Sequence, residues 1–497
     1  MVNGMIKLAV NHNYAGEAAN IIRMFYGKEQ LDIMDFEALE NNQSLFLVEE
    51  TILQSILDDQ DGSIVAKAII QSGDEKKEYR EVYTICTVKQ KKEAVKLTMY
   101  KLLSESHNRT YPWGILTGIR PLKIVHELMD KGYDEKHIET YMQRNHLVSE
   151  EKAQLAVEIA AIERSFIYPV DSRKVSIYIG IPFCPTRCHY CSFTSNSLKT
   201  CGGLVEDYLS ALMLEMEQTQ ALMNKYKLKV QTIYIGGGTP TSLNEEQLDR
   251  LLSKACELYG DCLEEFTCEA GRPDTITEGK LRVMKQRGIT RISINPQTMN
   301  DETLERIGRA HSVEETVKSF ELARKLGFDN INMDIILGLP GEGMMHLEKT
   351  LSDIEKLKPE SLTVHTMAIK RASIINENIE SVSKGGSTTE MMKLTAAFAR
   401  KQNMHPYYLY RQKHMVENLE NIGYCKPGYE CIYNIQIIEE KQTNIAFGAD
   451  AITKTIFTQE NRIERQGNIK DIRLYIVRIE EQISKKLQLL EELYEEL

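Results

Sequence analysis

Residues 175–369 alternate short runs rich in β-branched and aromatic residues with longer stretches whose apolar positions recur at helical spacing. The short runs predict six strands, over 175–179, 230–235, 265–269, 290–295, 330–335 and 361–366. The stretches between them predict helices, the clearest over 205–225, 245–258, 312–326 and 347–357. Strands separated by helices pair in parallel, because a parallel crossover takes roughly a dozen or more residues whereas an antiparallel neighbour needs only a hairpin. The fold class this imposes is α/β, a partial (β/α)6 barrel left open.

The unusual short motifs fall at the carboxyl ends of these strands, the face on which βα barrels gather their catalytic groups. Cys184-Pro-Thr-Arg-Cys188-His-Tyr-Cys191 follows the first strand and Gly236-Gly-Gly-Thr-Pro240 the second. Glu269 ends the third, Asn295-Pro-Gln297 closes the fourth, Asp334 and Gly338-Leu-Pro340 lie at the fifth, and His365 ends the sixth. The C-x3-C-x2-C spacing lets one short loop wrap three thiolates around one object. A four-cysteine zinc site or an ordinary ferredoxin cluster takes four protein ligands, whereas three around a [4Fe-4S] cube leave one iron open to a small molecule. The glycines let backbone approach a ligand closely, but no Lys-Ser/Thr pair or G-x-G-x-x-G spacing accompanies them, which argues against a nucleoside triphosphate. Glu269 and Asp334 suit an ammonium and a ribose diol, or structural pairing with Arg272 or Arg309.

A chain of 497 residues is too long for one core. The expected division is a small N-terminal α/β domain (1–105), a helical connector (106–168), the barrel (169–370) and a C-terminal substrate or lid domain (371–497). The first contains a strand over 5–10, a helix over 15–26 and a hairpin of 64–70 with 79–88. In the connector, Trp113 reads as a packing anchor. Ile472, Ile476, Ile479, Ile483, Leu487, Leu490, Tyr494 and Leu497 share one helix face, read as docking on its own domain, with dimerisation as the alternative.

The net charge of -11 and pI near 5.7 argue against wholesale binding to nucleic acid or an anionic membrane. No apolar run is long enough to span a bilayer and the first residues do not read as a signal sequence, so a cytoplasmic location is expected. Ten cysteines are too sparse for a disulfide framework. Cys425 and Cys431 read as buried packing, as do Cys86, Cys201, Cys256, Cys262 and Cys268.

Taken with Ile181-Pro-Phe-Cys184, Tyr190, Gly236-Gly-Gly-Thr-Pro-Thr241, Ile307-Gly-Arg-Ala-His311 and Ile336-Leu-Gly-Leu-Pro340, the cysteine loop resembles that of the radical S-adenosylmethionine (SAM) enzymes. It is most similar there to the oxygen-independent coproporphyrinogen III oxidases, and Tyr408-Leu-Tyr-Arg-Gln-Lys413 with Gly423-Tyr-Cys-Lys-Pro-Gly-Tyr-Glu430 resembles their HemZ branch. The resemblance implies a [4Fe-4S] cluster on Cys184, Cys188 and Cys191, with SAM on the fourth iron. It implies SAM contacts at Tyr178, Tyr190, Gly237, Glu269 and Ile452, with Tyr178 and Glu269 closest to the chemistry. A second SAM site would be lined by Gly238, Thr239, Gln297, Arg309, Asp334 and Ala368. The implied activity is oxidative decarboxylation of two propionates of coproporphyrinogen III to vinyls. An electron donor such as flavodoxin or ferredoxin is implied with it.

The founding oxidases carry a histidine and a further cysteine where this chain has Gly180 and Phe193. Phe193 also resembles the haem chaperone branch, but that branch's His-Asn and Tyr-Trp run is matched here by Ile432-Tyr-Asn434-Ile-Gln-Ile-Ile438. A haem-binding chaperone that retains the radical SAM domain is the alternative reading. A tetraanionic substrate needs local cations, for which Arg309, Arg371, Arg411, Lys413, Arg120 and Lys123 are the candidates.

Overall fold

The computed structural model describes residues 6–27, 31–36, 51–60, 63–84, 87–118, 120–191, 194–260, 263–367, 387–412 and 415–495. Ala368, Arg371, Lys413, Phe193, Cys86 and Cys262 therefore lie outside the described residues. The chain divides into two compact units, residues 1–157 with 411–419, and residues 158–410 with 420–497.

In the first unit β1 (Ile6–Val10), β2 (Leu31–Asp35), β3 (Thr51–Gln60), β4 (Ser63–Ser72) and β5 (Glu75–Thr84) form a sheet in the order β2-β1-β3-β4-β5. The expected hairpin strand over 79–88 stops at Thr84, because Thr87 caps a helix over Val88–His107. Its hydroxyl accepts from the Gln90 amide while the Gln90 side chain accepts from the Thr87 amide, and this reciprocal cap outweighs the β propensity of Val88. Leu8, Ile21, Ile22, Leu53, Met99 and Leu103 make the core between sheet and helices. Trp113 is fully buried, as a packing anchor should be. Arg411 was expected to face a substrate; instead it is buried over the Trp113 ring, 5.7 Å from its centroid, and donates to the carbonyls of Leu116, Asn418 and Leu419.

The second unit holds one sheet of eleven strands. β6 (Lys174–Ile181) is followed by a short pair, β7 (Phe183–Cys184) and β8 (Asn196–Ser197). Then come β9 (Lys229–Gly237), β10 (Glu265–Glu269), β11 (Arg291–Ser293), β12 (Ile331–Leu337) and β13 (Ser361–Thr366). β6-β9-β10-β11-β12-β13 pair in parallel in that order, the six-stranded open barrel. β6 and β9 are buried over most of their length on both faces, as parallel strands of a barrel are. β11 spans only three of the six residues expected, because Pro296 has no N–H for the ladder and Gln297 takes a left-handed conformation (φ 68°) before bridging to Ile335. Asp334 consequently sits inside β12 rather than at its end.

Strands from residues 405–410 and 420–467, expected within a separate C-terminal domain, continue the same sheet. β14 (His405–Tyr410) and β15 (Asn421–Cys425) add antiparallel strands beside β13. β16 (Thr443–Phe447) pairs in parallel with β6 and carries the antiparallel β17 (Ile452–Phe457) and β18 (Arg462–Gly467). The tail forms two helices, Ile472–Val477 and Ile479–Glu495, rather than one; they bury Ile472, Ile479, Ile483, Leu490 and Tyr494 within this unit, which favours docking over dimerisation. No helix among the described residues is long and apolar enough to cross a membrane.

The tail is fixed by charge as well as by apolar contact. Glu215, in the Val205–Lys225 helix, is fully buried. It accepts hydrogen bonds from Lys486, from Tyr475 (2.7 Å), from Asn468 (2.7 Å) and from the Gly448 amide (3.0 Å). Removing one partner of a buried pair strands the other's charge at a cost of about 3–5 kcal/mol. Lys486→Met should therefore lower unfolding stability by about that amount, read as an earlier urea midpoint.

Candidate functional site

The cysteine loop hangs from the end of β6. Its base is closed by the pairing of β7 with β8 and by the Asn196 amide on the Pro182 carbonyl (2.8 Å). Cys184 and Cys188 are buried, Cys191 is half-buried, and none is in a disulfide. A backbone turn from Cys191 N to Cys188 O (3.1 Å) shapes the C-x2-C portion, and the His189 amide anchors it to the Ile307 carbonyl (2.9 Å). The Cys184 sulfur lies 3.3 Å from the Thr239 hydroxyl. Arg272 reaches to 3.9 Å from the Cys188 sulfur while donating to the Thr186 carbonyl (2.8 Å), and Asp274 grips its guanidinium through two hydrogen bonds. Burial pushes the Cys184 thiol up to about 11, so bound metal must supply the charge that keeps it ionised.

Gly237 and Gly238 form the opposing wall. Gly237 has φ +111°, a conformation side chains rarely adopt, and a Cβ on it would lie 3.0 Å from the Ile181 carbonyl oxygen. A Cβ at Gly238 would lie 3.0 Å from the Cys184 sulfur and 2.7 Å from the Phe183 carbonyl oxygen. Among the described residues, the donor groups that close to within 4.8 Å of one another do not include the three loop sulfurs. Three thiols not drawn within 4.8 Å of one another, on a loop that glycines let the β9 backbone approach, suit a cluster rather than one clenched ion.

Glu269, at the end of β10, faces a stack of tyrosines. Tyr234 donates to its carboxylate (2.5 Å), and Tyr234 stacks on Tyr433 (4.6 Å between centroids) and on Tyr178 (6.4 Å). Burial, opposed by the Tyr234 hydrogen bond and reinforced by the charge of Asp334, pushes Glu269 up to about 7. Asp334 goes the other way: burial alone would raise it, but His365 at 3.5 Å and the Asn332 amide at 2.6 Å hold it below the usual carboxylate range. Neither carboxylate pairs with Arg272 or Arg309, the structural alternative. Arg272 is taken by Asp274, and Arg309 donates to the Tyr190 hydroxyl (3.1 Å) and to the carbonyls of Gly271 and Asn295.

The structure thus brings together Cys184, Gly238 and Thr239; Tyr178 and Glu269, with Asp334 close enough to raise the latter; and Tyr190 with Arg309. The Gln297 and Asn295 side-chain oxygens are buried without a hydrogen-bond partner. Ile452 opens β17, two strands from β6, and is 47% exposed. Tyr234, Tyr433 and Arg272 were not among the expected site residues. Tyr234 is legible from register, being the cross-strand partner of Tyr178, whereas nothing local in the sequence places Tyr433 against it.

Residues 178–354 match the Radical SAM superfamily. Over 82% of its length, and 82% of the relative's, the chain is 43% identical to the oxygen-independent coproporphyrinogen-III oxidase-like protein HemZ of Bacillus subtilis. The chain belongs to the oxygen-independent coproporphyrinogen-III oxidase-like family. It is also 34% identical to the heme chaperone HemW of the same organism, over 56% of this chain and 70% of that one. Among solved structures it resembles coproporphyrinogen III oxidase HemN of Escherichia coli, a radical SAM enzyme. That match has a TM-score of 0.51 and 22% identity over 65% of this chain and 73% of the other, a likeness of fold. Members of this radical SAM family use a [4Fe-4S] cluster and SAM, and the three free thiols suit that cofactor pair. Gly238→Ala should push its methyl group against Cys184 and the Phe183 backbone. Iron retained after anaerobic reconstitution should fall well below that of the unaltered chain, whereas Gly202→Ala, with open space around its Cα, should leave it unchanged.

Proposed function

We propose that this chain converts coproporphyrinogen III to protoporphyrinogen IX in the cytoplasm. Each of two propionates would give a β-hydrogen atom to a 5'-deoxyadenosyl radical, and the substrate radical would then release CO2 and pass one electron to a one-electron acceptor, leaving a vinyl group. Cys184, Cys188 and Cys191 hold the cluster; with SAM bound it supplies the 5'-deoxyadenosyl radical that takes the β-hydrogen. Glu269 receives the SAM ammonium, Tyr178 and Tyr190 bracket the ligand, and Gly237 leaves room for its backbone approach. Arg309, Gln297, Asp334, Gly238 and Thr239 would contact a second SAM, to which the unpartnered Gln297 oxygen could accept a hydrogen bond. Flavodoxin or ferredoxin would supply the electron.

The observation that carries the oxidase reading over a haem chaperone is the fate of Tyr433. It stands in the run that matches the chaperone branch's His-Asn pair, and it is buried in the stack beside Glu269, with no histidine between Ile432 and Glu439 to meet a haem iron. The test is an anaerobic assay of the reconstituted chain with dithionite, SAM and coproporphyrinogen III. Protoporphyrinogen and CO2 should appear, and Cys188→Ala should abolish both together with bound iron. Absence of product from the iron-replete chain, with a shifted Soret band on adding haemin, would favour the chaperone.

Glu269 supplies a second check. With its carboxyl raised to about 7 in the ligand-free site, binding an ammonium there requires loss of a proton on the acid side of neutrality. SAM affinity should rise as pH is raised from about 6 to 8. Glu269→Gln should flatten that dependence and weaken binding at pH 8 by about ten- to a hundredfold, the worth of a charge-assisted hydrogen bond, in a titration of the iron-replete chain.

A further inference from the structure

At the other end of the barrel strands lies a group of donors that the radical chemistry does not use. His405 is the first residue of β14 and Cys425 the last of β15, and the two are register partners across the antiparallel ladder. Glu430 follows a turn from Lys426 to Tyr429 (3.1 Å, amide to carbonyl) that passes through Gly428 at φ +85°. The His405 Nε2 atom is 2.9 Å from Glu430 Oε1 and 3.7 Å from Cys425 Sγ, and all three donor atoms lie within 4.8 Å of one another. Cys425 is fully buried, and the Glu430 and His405 side chains are 10% and 19% exposed.

One imidazole nitrogen carries either a proton or a lone pair, so it bonds well to one partner. A histidine relay sets its two partners on two different nitrogens. Here the sulfur and the carboxylate oxygen converge on the same nitrogen, which is how ligands stand around a single cation. With Zn–S near 2.3 Å and Zn–N and Zn–O near 2.0 Å at a tetrahedral angle, sulfur and nitrogen would stand about 3.5 Å apart and nitrogen and oxygen about 3.3 Å. The sulfur is already close to that separation, and the carboxylate, hydrogen-bonded to the imidazole at 2.9 Å, has about 0.4 Å to open when an ion enters. We propose that His405, Cys425 and Glu430 bind a zinc ion, with water in the fourth position. Thiolate and imidazole select zinc over magnesium or calcium, and the thiolate and carboxylate together neutralise its charge. Cys431, six residues further on, is not a ligand: its thiol is engaged by Glu265 at 3.3 Å.

Position defines the role. Cys425 pairs with Ser361, the first residue of β13, so the site lies at the amino ends of the barrel strands, whereas the cysteine loop hangs from a carboxyl end. Zinc there fastens β14, β15 and the turn between Cys425 and Glu430, and takes no part in SAM cleavage. The test uses the full-length, cluster-reconstituted chain supplied with zinc chloride, desalted and analysed for both metals. About one zinc and about four irons per chain are expected. Cys425→Ser and His405→Ala should each lose the zinc and keep the iron, and Cys188→Ala should do the reverse. Less than a tenth of an equivalent of zinc in the unaltered, iron-replete chain, or zinc retained by both variants, overturns the proposal. Should a variant lose both metals by unfolding, zinc K-edge absorption of the unaltered chain decides: a first shell of one sulfur with nitrogen and oxygen supports the site, and a shell without sulfur overturns it.

Discussion

A fully buried carboxylate must have its charge met inside the protein, and in the barrel unit the placing of the chain from Gly448 onward follows from how Glu215 meets that demand. Its four donors come from the loop after β16, the segment after β18 and the two tail helices. Together they bind the edge of the sheet and the C-terminus to one helix. Tyr208, two turns before Glu215 on that helix, donates to the Gly180 carbonyl (2.6 Å) and accepts from the Ala449 amide (3.1 Å). Gly180 is the penultimate residue of β6, from which the cysteine loop departs. The network that anchors the tail therefore also sets the height at which that loop begins.

Below this anchor the loop is held mainly by backbone. Pro182, Phe183, Ile307 and Ile181 supply main-chain atoms to the contacts that close it, and side chains enter chiefly through Thr239, Arg272 and Asn196. A loop built this way has no room for a methyl group at Gly238. The same economy explains the second wall. Gly236 passes so near the Glu269 carboxylate that a Cβ would come within 3.2 Å of it, and glycine there keeps that carboxylate open to a ligand.

What could be read from sequence follows how local each determinant is. The strands at β10 and β13 and the helices Ala15–Tyr26 and Val205–Lys225 carry complete periodic patterns, and their ends fall where those patterns stop. β11 was overread because its truncation depends on a left-handed residue that only the bridge to β12 enforces. Arg411 was misread because an arginine in a polar, aromatic segment gives no local sign that three carbonyls will claim it. The cysteine loop and the strand-end carboxylates announced themselves by spacing. Tyr433 did not, since its stacking on Tyr234 joins positions almost two hundred residues apart. The convergence of His405 with Cys425 and Glu430 likewise depends on ladder register rather than on any ligand-like spacing.

Glu269, at the end of β10, and Asp334, inside β12, are the clearest case of shared fold and divided chemistry. They stand on strands separated only by β11, and the charge of Asp334 bears on Glu269. Like charges at short range in a buried site do not ionise equally, and the neighbours decide which yields. Asp334 has His365 and the Asn332 amide, which favour its ionised form despite burial, so it keeps its charge. Glu269 has a tyrosine hydroxyl and an aromatic wall, which offer less, and it retains a proton near neutrality. Before ligand arrives, the pair thus holds closer to one negative charge than two at the acid side of pH 7. An incoming cation stabilises the second charge at the moment it supplies the counterion, so recognition falls on the residue whose ionisation depends on the ligand being there.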